Sequence, residues 1–145
     1  MYVSRLRMLH SVTEVTVSNF SSSIIFLYYQ DFTKAIFFFE KILKLDLVMD
    51  QGFARVYRAG GDSFLGCVQK REGSIESSNR GGALISLNVD NVDKEYLRFK
   101  EFDLPYISDL KIIEQIPLKS FFFKDYEGYD FEIQEFLKKE DKEMF

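Results

Sequence analysis

Apolar and polar residues change their spacing several times along this chain, and each change marks a new element. Ser23 to Tyr29 (SIIFLYY) is β-branched and aromatic, the composition of a strand. Asp31 then offers an N-cap, and Phe32, Ile36, Phe39, Ile42 and Leu43 recur at helical spacing, predicting a helix that ends near Leu45. Strand-like pieces follow at 46–49, 53–58 and 63–69, with Gly60-Gly61-Asp62 turning the chain between the last two. Residues 70–82 (KREGSIESSNRGG) lose all periodicity; charge, Ser and Gly make them a mobile linker.

The order then begins again. Residues 83–89 (ALISLNV) read as a strand, and 91–102 as a helix with Val92, Tyr96 and Phe99 on one face. Short strands are expected at 106–107, 112–116 and 120–124. Gly128 supplies a positive φ in the turn Asp125-Tyr126-Glu127-Gly128, and 129–136 is the last strand. The two halves can be overlaid: Ile25 on Ile85, Leu27 on Leu87, Phe32 on Val92, Phe39 on Phe99, and at the far end Gly61 on Gly128 and Phe64 on Phe131. Each half is a strand, a helix and about three strands. One such unit cannot bury both its helix and its sheet alone, so two are expected to pair around a shared interior. The domain is placed at 23–136, as modules 23–70 and 83–136 joined by the linker 71–82. Residues 1–22 are an arm or an extra helix or strand, and 137–145 a charged tail that frays.

Composition narrows the function classes. With 145 residues, 46% hydrophobic and 29% charged, the chain is one ordinary globular domain, neither disordered nor collagen-like. A net charge of −4 and a pI near 5.1 provide no basic footprint, so no nucleic-acid partner is expected. The apolar run Ile24 to Tyr29 is far short of the ~20 residues of a spanning helix, so no membrane partner is expected. Arg5 and Arg7 are not followed by an export-type apolar region. A single cysteine, Cys67, forms no internal disulfide, which suits a reducing, cytoplasmic location. Aromatic content is high at 17%, with 16 Phe, 8 Tyr and no Trp. Phe37, Phe38 and Phe39 cover too wide an arc of helix for one core, so the surplus is expected in a homodimer interface; Phe121, Phe122 and Phe123 divide between two faces of a strand.

Three stretches resemble a known family. Tyr29-Gln30-Asp31-Phe32 running into Phe38-Phe39-Glu40-Lys41-Ile42-Leu43 is similar to the opening of the vicinal oxygen chelate superfamily, the glyoxalase/bleomycin-resistance/extradiol dioxygenase group. Val89-Asp90-Asn91-Val92-Asp93 resembles its second-half "V-D-D-V-D", and Phe123-Lys124-Asp125-Tyr126-Glu127-Gly128-Tyr129-Asp130-Phe131-Glu132 its "F-R-D-P-D-G-N-x-(apolar)-E". The likeness spans roughly 23–136; Leu45 stands where a Gly is usual, and Tyr126 where the turn has Pro. It implies an α+β fold, two tandem βαβββ modules making a cup-shaped mixed sheet with helices outside.

The resemblance also implies four metal-ligand positions, one on the first and last strand of each half. They fall on Ile24, Leu65 (Gly66 if the register slips by one), Leu84 and Glu132. Only Glu132 offers donor atoms, and a divalent ion needs several to offset its dehydration. No metal or other cofactor is therefore expected. His10, the sole histidine, is outside the repeat and reads as solvent-exposed. Strand alternation puts Ile24, Phe26 and Tyr28, then Leu65, Cys67 and Gln69, then Leu84, Ser86 and Asn88, then Asp130, Glu132 and Gln134 in the cup. The expected site is Phe26, Tyr28, Leu65, Gln69, Leu84, Ser86 and Phe122 around an organic ligand, with Glu132 as acid, base or anchor. The plainer reading makes Glu132 a relic carboxylate satisfied by Tyr28 or Ser86. Cys67 has no activating His in the repeat and reads as a small buried hydrophobe. Three functions compete: a metal-free binding protein, a lyase or dioxygenase using Glu132 or an unusual metal site, and a protein–protein module with a filled cup.

Overall fold

The computed structural model describes residues 4–9, 12–17, 19–76 and 82–145, the first two stretches by their backbone. His10 and residues 77–81 of the linker lie outside the described residues. Two antiparallel strands, β1 (Ser4–Leu9) and β2 (Val12–Val17), make a separate two-stranded sheet. Of the alternatives for the arm, the strand is the one observed.

The first module runs β3 (Ser23–Tyr29), α1 (Phe32–Phe37), β4 (Asp46–Asp50), β5 (Ala54–Gly60) and β6 (Ser63–Gln69). Asp31 caps α1, its side chain accepting the Lys34 N–H at 3.0 Å. The helix passes without a break into a π-helical turn, Phe38–Ile42, and Lys44 at φ 55° reverses the chain. The strands form a sheet in the order β3-β6-β5-β4, with β3 parallel to β6 and the rest antiparallel.

The second module repeats that plan with β7 (Leu84–Asn88), α2 (Val92–Phe99), β8 (Tyr106–Ile107), β9 (Lys111–Ile113), β10 (Leu118–Lys124) and β11 (Asp130–Phe136). Asn91 caps α2 through the Lys94 N–H at 3.1 Å. The sheet runs β7-β11-β10-β8, with β9 also on β10, and β7 is parallel to β11 as β3 is to β6. The fold is thus α+β, built from two βαβββ units. A short helix, α3 (Lys139–Lys142), follows, and the Phe145 ring stacks on Phe136 at 5.2 Å. The tail expected to fray is docked on β11 by that ring pair.

One core joins the modules. Phe38 of the first packs against Phe123 and Phe131 of the second at ring distances of 6.1 and 5.3 Å. Phe39, Tyr57, Leu65, Phe99, Phe121 and Ile133 belong to the same buried cluster. Of the Phe37–Phe39 run, Phe38 and Phe39 are core and only Phe37 is exposed. Polar ties reinforce the junction. The Tyr29 hydroxyl donates to Asp125 at 2.7 Å, and Arg98 of α2 donates to the Ile42 carbonyl at the end of the π-helical turn. Glu127 accepts the N–H groups of Gln30 and Asp31.

Candidate functional site

Paired residues in a sheet ladder project to the same face, so the register decides which side chains meet in the cup. In the second sheet Phe131 pairs with Ile85 and Phe123, and all three face the helices. The opposite face carries three rows: Leu84–Asp130–Lys124, Ser86–Glu132–Phe122, and Asn88–Gln134–Ser120. Leu84, Ser86, Phe122 and Glu132 are therefore brought together on one face.

The first sheet differs from expectation by one residue. Ile25 pairs with Leu65, and Leu65 with Tyr57, so Leu65 and Cys67 lie in the helix-side core. Leu65 is not a cup residue. Gln69 shares that parity; it sits at the end of β6, where it lines a separate cleft with Gln30, Lys70 and Arg71. The cup face of β6 is instead Phe64, Gly66 and Val68, beside Ile24, Phe26 and Tyr28. The cause is the turn. Gly61 and Gly128 occupy corresponding turns in the sequence, but the two loops close differently. In the first, Gly60 pairs with Ser63 across a bulge; in the second, the Asp125 carboxylate accepts the N–H groups of Glu127 and Tyr129. The ladders equate Leu65 with Phe131 and Gly66 with Glu132, so matching glycine to glycine misplaces the strand by one.

The two cup faces have opposite character. On the first, the Phe26 ring lies over Gly66 so closely that a Cβ there would overlap it. Tyr28, Ala54 and Val68 form a small buried cluster. The linker's first part folds back over it: Gly73 abuts the Tyr28 ring, and the Ile75 N–H donates to the Tyr28 hydroxyl at 3.3 Å. Residues 71–76 thus form a strap over the Tyr28 end of the first cup face, and Tyr28 is covered by the chain itself, while Ile24 and Phe26 stay exposed. The second face is polar, with a buried carboxylate between the exposed side chains of Leu84 and Phe122. Glu132 is 7% exposed, and its Oε1 accepts the Ser86 hydroxyl at 2.6 Å; Gln134 donates to Asn88 at 2.9 Å and Lys124 pairs with Asp130. Of the two satisfying partners considered for Glu132, Ser86 is the one observed.

The four implied metal-ligand positions resolve to Ile24, Gly66, Leu84 and Glu132. Two are hydrocarbon and one has no side chain, with the Phe26 ring in the space a donor would occupy. Among the described residues no three His, Cys, Asp or Glu side chains gather where they would hold an ion. This donor set does not fit a divalent cation. Cys67 is fully buried, and burial pushes its thiol up to about 11, away from nucleophilic use. What the second face can do is bind: it offers a carboxyl group, amides and hydroxyls beside Leu84 and Phe122. Ser120 was not singled out in the sequence. It is 1% exposed, and its hydroxyl has no hydrogen-bond partner. Its one signal there was a small polar residue at the head of a Phe run.

No family model matches the sequence, and no curated protein matches it. Solved structures do match in shape. A lactoylglutathione lyase from Agrobacterium tumefaciens aligns at 19% identity and TM-score 0.62, covering 77% of this chain and 90% of its own. The fosfomycin resistance protein FosX from Listeria monocytogenes aligns at 16% and 0.64, covering 83% and 94%. A glyoxalase/bleomycin resistance protein/dioxygenase from Nocardioides aligns at 15% and 0.64, covering 86% and 88%. This chain shares the fold of these structures. At these identities the likeness speaks for the fold alone.

Proposed function

We propose that this protein is a metal-free small-molecule-binding member of the glyoxalase/bleomycin resistance superfamily, holding an organic ligand on its cup faces and breaking no bond. The observation that carries the reading is the set Ile24, Gly66, Leu84 and Glu132, with the Phe26 ring laid across Gly66. Hydrocarbon at these positions suits an organic body, and Glu132 with Ser86 suits a polar group on it. The working form is a homodimer in the cytoplasm. Ile24, Ile25 and Phe26 on edge strand β3 and Leu84 on edge strand β7 are all more than 40% exposed, the kind of apolar strip a partner covers. The alternative is a lyase or dioxygenase using Glu132 as acid or base, which the Ser86 bond would orient.

The test is elemental analysis. Protein mixed with excess zinc, nickel or manganese and then gel-filtered retains well under one ion per chain. Sedimentation of the same sample shows a dimer, which Ile24→Asp converts to monomer. One ion per chain, held by three or more protein donors, overturns the metal-free reading; a monomeric wild type overturns the dimer.

A further inference from the structure

On the second module's cup face, the charge left without a counter-charge beside the central row is the Glu132 carboxylate, among the described residues. Glu132 has its Oε1 engaged by Ser86, and no Lys or Arg pairs with it among the described residues. The cation in the next row, Lys124, is taken by Asp130 at 2.5 Å. Gln134 donates one amide N–H to Asn88, which leaves the Gln134 oxygen free to accept and the Asn88 N–H₂ free to donate. One row from Glu132, on the neighbouring strand, stands the Ser120 hydroxyl, buried to 1% exposure without a partner. Among the described residues the other cation on this face is Lys111, exposed on β9 in register with Ser120, on the side away from Glu132. A buried polar atom without a partner is rare in native proteins and calls for one. Leu84 and Phe122, 51% and 37% exposed, flank Glu132 with apolar surface.

We infer that this face takes a ligand whose head is an N–H-rich cation, a primary ammonium or amidinium, attached to an apolar body. The head donates to the free Glu132 oxygen and to Ser120, and the body covers Leu84 and Phe122. The inference rests on the proposed binding function and adds the ligand's class and Ser120's part. An anionic head finds, among the described residues, no uncommitted cation beside Glu132 and meets its carboxylate. A neutral hydroxyl forms one bond but leaves the carboxylate without a counter-charge.

Three probes that share a phenyl body separate these cases: 2-phenylethylamine, 2-phenylethanol and 3-phenylpropionate, titrated at neutral pH and followed by amide NMR shifts. The amine shifts resonances of β7, β10 and β11; the alcohol binds about tenfold more weakly or worse, as loss of a charge-assisted bond implies; the acid does not bind. Glu132→Gln weakens the amine about tenfold or more and the alcohol by a clearly smaller factor, because the amide oxygen still accepts a hydroxyl, and Ser120→Ala weakens the amine severalfold. The amide spectrum of each variant reports its folding. Should Glu132→Gln unfold, Ser120→Ala and the three-probe ranking carry the test. Binding of the acid as tight as that of the amine, or an amine indifferent to both substitutions, overturns the cation inference while the binding function stands. If no probe of any charge shifts this face, the binding function itself fails.

Discussion

Asp125 shows how a single residue sets the geometry on which the site depends. It sits in the β10–β11 loop, fully buried, and accepts three hydrogen bonds: from the Tyr29 hydroxyl and from the N–H groups of Glu127 and Tyr129. The bonds fix the loop, and the loop fixes where β11, and so Glu132, begins. Burial nonetheless pushes the Asp125 carboxyl above the ordinary carboxylate range, with the hydrogen bonds from Tyr29 and the two amides opposing it only in part. The Tyr29 phenol is pushed well above its ordinary value, by burial first and the Asp125 charge next, so it remains a donor. The native state therefore holds the Asp125 proton more tightly than the unfolded chain does. Stability from this group is complete below the ordinary carboxylate range and is lost as pH rises through the raised value. Asp125→Asn has no such proton. The unfolding free energy of wild type minus that of Asp125→Asn, from urea titrations, is expected to fall as pH rises above the ordinary carboxylate range. A difference that rises or stays flat would refute the account.

At the scale of elements, the instructive strand is β3. It is the edge of its sheet, so the Tyr28 N–H and C=O on its free side need partners from elsewhere. The Tyr129 hydroxyl supplies both, accepting from Tyr28 N–H at 2.9 Å and donating to Tyr28 C=O at 2.8 Å. Tyr129→Phe leaves two half-buried backbone groups without that bridge. It should cost about 1–3 kcal/mol in chemical denaturation and speed exchange of the Tyr28 amide. No change in either would mean water replaces the hydroxyl at no cost. Contacts of this kind were not legible in the sequence, because residues a hundred positions apart meet only after both sheets exist. Elements with a local cause were legible: the Asp31 cap, the helix from Phe32, the strands read from β-branched and aromatic runs, and the repeat itself. The second cup face was read in the right parity because Glu132 lies four residues after the Gly128 turn in one continuous motif. The first was read one residue out because its turn glycines, Gly60 and Gly61, close a differently bulged hairpin. The strap was missed for a tertiary reason. Residues 70–82 have a linker's composition, and the fit of Gly73 and Ile75 on Tyr28 draws their first part over that end of the cup.

At the scale of the whole molecule, the question is whether the two repeats are separable bodies. Phe38 argues that they are not. It belongs by sequence to the first module, at the start of its π-helical turn, yet its ring packs on Phe123, Tyr126 and Phe131 of the second as well as on Phe39 of its own. Arg98 of the second module in turn satisfies the Ile42 carbonyl of the first. A single module would expose most of one core face, so neither sheet is expected to persist without the other. Phe38→Ala removes the ring at their junction and should cost about 3–5 kcal/mol, because the surrounding aromatic side chains cannot close the space they leave. Hydrogen exchange on that variant locates the damage. If the modules form one cooperative unit, β5–β6 and β10–β11 lose protection together and urea unfolding stays a single transition with a lower midpoint. Two transitions, or protection lost in the first sheet alone, would show a joint loose enough for the halves to part. A one-step loss instead means that the carboxyl group on the second sheet and the aromatic floor on the first are carried by one rigid frame.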